Sequence, residues 1–203
     1  MKKGSRTQAE RRKESEEKLI QAAINMVAER GYDQLRLAEL GESAGFSRSL
    51  AAHYFGNRDA LMQRVVAEIL GRASRAIAAS EIPSDDPLSA IFRCVRHSIR
   101  RWTREPTDGR ALFAILAAGV TKPELTTDVQ DHTSRSLDWF VAKYKEARAT
   151  GLVLETVDPE AEAKLCLTII RGAGLTSLTQ PGWDAEAVCE HFIEACRDRY
   201  AAR

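Results

Sequence analysis

Apolar residues recur every three or four positions along nearly the whole chain, and no strand-length stretch alternates apolar with polar. That period predicts helices throughout. Leu19, Ala23, Met26 and Val27 share one face of a first helix, expected from about Glu14 to Arg30 and closed by Gly31. Between Leu37 and Leu61, the residues Leu37, Leu40, Gly41, Ala44, Phe46, Leu50, Ala51 and Tyr54 mark two short helices packed on each other. Gly45 interrupts them where a tight turn needs a positive φ. Gly41 is small enough to let the helices approach closely. Ser47 stands at the position of an N-cap, with its hydroxyl expected on the first free amides of the next helix. Asn57 caps a fourth helix, expected over Arg58 to about Ala79, with Asp59 in its first turn.

Residues 81–87 read as a loop, and Asp86-Pro87 as a helix start. The next helix carries Ile91, Phe92, Val95, Ile99 and Trp102, and residues 105–108 break the chain again. A short helix holds Leu112, Phe113, Ile115 and Leu116 and ends near Gly119. A long one follows from about Glu124 to Ala149, with Val129, Ser136, Phe140 and Tyr144 at helical spacing. Pro159 opens a helix reaching about Leu178, and Asp184 caps a last one that runs to Tyr200. The pattern gives an all-α chain. Its N-terminal unit, 1–66, is a three-helix domain containing a helix-turn-helix, with 1–12 as a flexible basic arm. A helical bundle fills 67–203. A helix-turn-helix serves to place one helix in the DNA major groove.

Charge refines this picture. The net charge of the 203 residues is only +1. Residues 1–66 carry 12 Lys and Arg against 9 Asp and Glu, and the remainder 18 against 20. The excess is greatest at Lys2, Lys3, Arg6, Arg11, Arg12, Lys13 and Lys18, where it can neutralise phosphates. Cys94, Cys166, Cys189 and Cys196 form no CxxC pair and lie in apolar runs, so they read as buried thiols of a reducing cytoplasm. No metal or cofactor motif is present. HExxH and GxxxxGK are both absent, which argues against an enzyme. Neither a signal peptide nor an apolar run of membrane-spanning length is found, so no membrane role is expected.

The run His53-Tyr54-Phe55-Gly56-Asn57-Arg58-Asp59-Ala60-Leu61, the turn Ala44-Gly45-Phe46-Ser47-Arg48, and Gly31-Tyr32 resemble the TetR family of transcriptional regulators. The resemblance covers residues 12–66. It implies double-stranded DNA as a partner, read by Ser47, Arg48, Ser49, Leu50, His53 and Tyr54. Arg48 and Arg58 replace the family's usual lysines, Arg48 to read guanine or clamp a phosphate and Arg58 to hold a phosphate. Arg36 replaces a capping Thr and offers charge to phosphate in its stead. Ala51-Ala52 replaces a common Leu-Tyr pair and removes one phosphate contact.

The same resemblance implies that 67–203 binds an effector and dimerises. Candidate pocket walls are Phe92, Arg96, Ile99, Trp102, Leu112, Phe113, Leu116, Phe140 and Tyr144, with Thr168, Arg171 and Leu175 added by the penultimate helix. Arg171, between Ile169-Ile170 and Gly172-Ala173-Gly174, needs a partner: a carboxylate across the dimer, the preferred reading, or an anionic ligand. His97 and His132 are expected in solvent. The expected homodimer seam joins the last two helices through Leu165, Ile169, Ala173, Leu178, Val188, Phe192 and Cys196, with Gly172 and Gly174 allowing close approach. The implied function is a repressor released from a near-palindromic operator by a small hydrophobic effector. The rival reading is a DNA-binding protein of the same fold that answers to a protein partner or to DNA alone.

Overall fold

The computed structural model describes residues 7–79 and 86–200; the side chains of residues 76 and 77 are not described. Its described residues form nine α-helices: α1 (Gln8–Arg30), α2 (Leu37–Ser43), α3 (Arg48–Phe55), α4 (Arg58–Ala79), α5 (Pro87–Arg104), α6 (Pro106–Ala118), α7 (Pro123–Ala149), α8 (Pro159–Thr179) and α9 (Ala185–Tyr200), with a 3₁₀ turn at Tyr32–Gln34.

Two helices start earlier than the apolar pattern suggests. α1 begins at Gln8 because Thr7 and Glu10 form a capping box: Glu10 N–H donates to Thr7 Oγ1 at 3.2 Å, and Thr7 N–H donates to Glu10 Oε2 at 2.7 Å. Residues 8–12 are therefore helical and not part of a flexible arm; residues 1–6 lie outside the described residues. α6 begins at Pro106, inside the expected break, because proline is well suited to a first helical turn. The expected loop at 81–85 also lies outside the described residues. Asp86 caps α5, its carboxylate accepting from Ser89 N–H at 2.9 Å and from Ser89 Oγ at 2.6 Å. These hydrogen bonds hold its carboxyl below the ordinary carboxylate pKa. Asn57 caps α4 by accepting from Ala60 N–H at 2.9 Å.

Two apolar clusters organise the molecule. One joins Leu19, Ile24 and Val27 of α1, Leu40 of α2, Ala51 of α3 and Leu61, Val65 and Ile69 of α4. It continues without interruption into Trp102 of α5 and Ala111, Leu112 and Ile115 of α6. The other joins α5, α7, α8 and α9 around Ile91, Val95, Ile99, Phe140, Tyr144, Cys166, Ile193 and Cys196. α5 thus serves both clusters, and α4 runs unbroken past residue 66.

Candidate DNA-reading surface and internal cavity

The helix pair owes its tightness to two glycines. Gly45 takes φ +78° between α2 and α3, a conformation that costs other residues more. At Gly41, a Cβ would run into the backbone carbonyl of Ser47 and leave only 3.1 Å to Arg48 Cα, so α2 meets the start of α3 at closer range than any side chain allows. Ser47 is the N-cap residue of α3, but its hydroxyl lies 3.3 Å from Ser49 Oγ and makes no capping bond, contrary to expectation. Arg36 precedes α2, exposed and without a capping bond.

α3 buries Ala51 completely and turns Ser47, Arg48, Ser49, Ala52 and His53 to solvent, with Leu50 and Tyr54 half-buried. Arg48 is 75% exposed, and its Nε donates to Glu42 Oε1 at 2.6 Å. Arg12 of α1 lies 5.8 Å over the Tyr54 ring, so the basic start of α1 borders the end of α3. Arg11, Arg12, His53 and Tyr54 line one shallow hollow there.

Arg58 has a different setting from the one expected. Its Nε donates to the Leu35 carbonyl at 3.1 Å and its Nη2 to the Tyr32 carbonyl at 2.9 Å, and the guanidinium lies 5.3 Å from the Tyr32 ring centre. The side chain ties the segment before α2 to the start of α4. The longer, forked arginine reaches two carbonyls at once, which a lysine's compact ammonium does less well.

A cavity of about 40 Å³ lies among α4, α5, α6, α7 and α8. Trp102, Phe113, Leu116, Phe140 and Arg171, all expected as pocket walls, line it, as does Leu112. Ala73, Ser98, Arg101, His132, Ser136, Leu167 and Ile170 complete the wall. Six expected wall residues stand elsewhere. Phe92, Ile99 and Tyr144 are core residues of the second cluster, and the Tyr144 hydroxyl lies 3.2 Å from that of Tyr200. Arg96 pairs with Glu190 of α9 through two bonds of 2.6 Å. Thr168 is exposed, as is Leu175.

His132, expected in solvent, is only 5% exposed, and its Nδ1 lacks a hydrogen-bond partner. Desolvation first, then the nearby Arg171 and Arg135 charges, lower its pKa from 6.5 to about 4. His132 lies one turn before Ser136, on the stripe that continues to Phe140 and Tyr144, so the helical period alone could have placed it inside. Arg171 donates from Nη2 to Thr133 Oγ1 at 2.8 Å, and among the described residues no carboxylate pairs with it. Burial lowers its pKa.

From Arg101 a chain of polar contacts leads out of the cavity. Its Nη2 donates to Asp108 Oδ2 at 2.5 Å, and Arg72 Nη1 donates to Asp108 Oδ1 at 3.0 Å. Arg72 also donates to Glu68 of its own helix at 2.8 Å and to Gln21 of α1 at 2.8 Å. The wall of the cavity is thereby joined to α1 and α4.

On the outer side of α8 and α9, Leu175 and Trp183 are exposed, and Leu165, Ile169, Val188 and Phe192 are half-buried. Ala173 and Cys196 of the expected dimer seam point inward and are 5% and 1% exposed. Gly174 serves the interior as well: a Cβ there would collide with the Trp102 indole. No disulfide joins the four cysteines, all buried, and burial pushes the Cys166 thiol up to about 12 and that of Cys189 up to about 11.

A tight glycine-jointed helix pair with an exposed polar and basic face, mounted on a helical bundle, defines a helix-turn-helix DNA-binding regulator. The chain belongs to the tetR family of bacterial regulatory proteins, whose N-terminal profile matches residues 19–65, while the profile of the BetI-type transcriptional repressor C-terminal domain matches residues 87–198. It is a transcriptional regulator and not an enzyme. It is 29% identical to the HTH-type transcriptional regulator CymR of Pseudomonas putida over 97% of this chain and 96% of that one. It is 35% identical to the regulator BetI of Brucella anthropi over 67% of this chain and 78% of that one. A transcriptional regulator from Saccharomonospora viridis, solved in complex with choline, shares the fold with a TM-score of 0.82 at 16% identity, covering 94% of this chain and all (100%) of that one. Among the described residues, no helix is long and apolar enough to cross a membrane.

Proposed function

We propose that the protein is a dimeric repressor that leaves a near-palindromic operator when a small effector enters the α4–α8 cavity. The observation that carries this reading is the polar chain from Arg101 through Asp108 and Arg72 to Gln21, which makes the cavity wall and the DNA-reading unit share one set of contacts. An effector that moves Arg101 moves the partners of α1 and α4 with it. In the bound state, Arg48, Ser49 and His53 face base edges and sugar-phosphate, and Arg11, Arg12 and Arg36 meet phosphates. The outer faces of α8 and α9, with Leu165, Ile169, Leu175, Val188 and Phe192, join two copies in a four-helix seam, which sets two α3 helices on successive major grooves.

The volume of about 40 Å³ is far below that of ordinary ligand pockets, roughly 300–1,000 Å³, so the effector must open the cavity as it binds. That small volume is also what favours the rival reading, control by a protein partner with no effector. Footprinting the purified protein on the DNA flanking its own gene, at two salt concentrations, tests the proposal. A protected near-palindrome that weakens steeply with salt is expected. No protection at low salt would remove the operator reading. A footprint made by a monomer would remove the dimer.

A further inference from the structure

We propose that the α4–α8 cavity takes a small monocarboxylate, its charge met by Arg171 and its apolar body held among Trp102, Phe113 and Phe140. This rests on the effector reading above and adds the charge of the effector to it.

The argument begins with charge. Two guanidinium groups, Arg101 and Arg171, line the cavity, and no Asp or Glu does. Arg101 is already matched by Asp108 at 2.5 Å and by Glu105 at 3.4 Å. Arg171 has a hydroxyl for company, Thr133 Oγ1 at 2.8 Å, and no carboxylate among the described residues. An ionised guanidinium in such a place is costly unless an anion joins it. One unmatched positive charge asks for one negative charge, so a monoanion fits where a phosphate dianion would overfill the site. The planar fork of arginine suits the two oxygens of a carboxylate.

His132 supplies the second observation. It is nine-tenths or more buried on the cavity wall, with Nδ1 unbonded. At neutral pH its ring is uncharged, as burial and the Arg171 charge dictate. A neutral imidazole offers an anion a hydrogen bond without adding a second charge. Apart from Ser98 and Ser136, the rest of the wall is apolar and aromatic: Trp102 and Phe113 stand edge to face with ring centres 5.8 Å apart, and Phe140 lies near. A ring-sized body suits such walls. A quaternary ammonium such as choline would instead meet Arg171 as a like charge.

The test uses the full chain and three probes: 3-phenylpropionate, its methyl ester, and choline. Calorimetric titration gives binding, and fluorescence anisotropy of a labelled operator gives DNA release. The carboxylate is expected to bind about tenfold or more tighter than the ester, as a charge-assisted bond would give. Arg171→Gln should bring the two within about threefold of each other, and Arg171→Lys should restore part of the preference. The wild-type comparison of acid and ester stands even if a variant folds poorly. Equal binding of acid and ester, tighter binding of choline, or binding of no probe overturns the proposal. If the ester releases DNA as well as the acid does, the effector reading survives and the charge assignment falls. If the acid binds with the expected preference but leaves DNA affinity unchanged, the carboxylate site stands and the effector reading falls.

Discussion

At the scale of single residues, Arg48 and Arg58 show how one side-chain type takes two roles. Arg48 projects from α3 and is held by Glu42 in an exposed pair, an arrangement worth little in water. DNA can therefore displace Glu42 cheaply. Glu42→Gln should tighten operator binding a few-fold, by freeing Arg48 and removing a negative charge from the phosphates, as a gel-shift titration would show. Arg48→Gln should change base preference at one position in each half-site, at about 1–3 kcal/mol of discrimination, in a sequence-variant titration. Arg58 is tied to the carbonyls of Leu35 and Tyr32, so its loss should lower the urea midpoint as well as DNA affinity. The sequence reading gave Arg48 a base or phosphate and Arg58 a phosphate, but it missed the bonds of Arg58 to backbone. Whether a guanidinium meets solvent or a carbonyl depends on how residues 32–35 fold back onto α4.

At the scale of elements, several helix starts were legible from a cap or a proline, although Pro106 opens α6 inside an expected break. Asn57, Asp86-Pro87, Asp158-Pro159 and Asp184 sit at observed starts. The start of α1 was missed because Thr7 and Glu10 lie in a charged stretch with no apolar period to announce a helix. On α5 the difficulty was one of rotation. Phe92, Ile99 and Trp102 all read as inward-facing, but the helix is covered on two sides, and only the side bearing Ser98, Arg101 and Trp102 borders the cavity. An apolar pattern records burial and not which of two neighbours does the burying. The α2–α3 approach was legible in Gly41. Gly41→Ala should cost about 1–3 kcal/mol of stability in a denaturant melt, because the Ser47 carbonyl is backbone and cannot step aside. On α7, His132 gives a pH dependence. Its folded pKa of about 4 lies below the unfolded value near 6.5, so the unfolded chain binds the extra proton between these limits. Stability should therefore fall as pH drops from about 6.5 towards 4, on the order of 3 kcal/mol in all, and His132→Gln should flatten that slope in denaturant melts at successive pH values.

At the scale of the whole molecule, Asp108 joins the two halves. It lies between Arg72 and Arg101, 14% exposed, and its removal would leave two guanidinium groups facing each other. Asp108→Asn should lower stability by about 2 kcal/mol, less than for a fully buried pair. It should also weaken the link between effector and operator, seen as a smaller effector-induced change in operator affinity. Lys122 makes a second, more exposed tie, reaching Asp33 in the 3₁₀ turn at 2.8 Å. On the opposite side, Leu175→Glu should break the proposed seam between copies, and sedimentation would then report a monomer that binds half-sites weakly.

The burial of all four cysteines has a practical consequence. Thiol reagents act on accessible thiolates, and the three thiols with raised pKa are poor nucleophiles as well as hidden. A cysteine introduced on the exposed side of α3, at Ser49 for instance, would be the one readily labelled thiol of the folded chain. Two such labels in a dimer would form a molecular ruler between the recognition helices, and the native protein would need no cysteine stripped from it first.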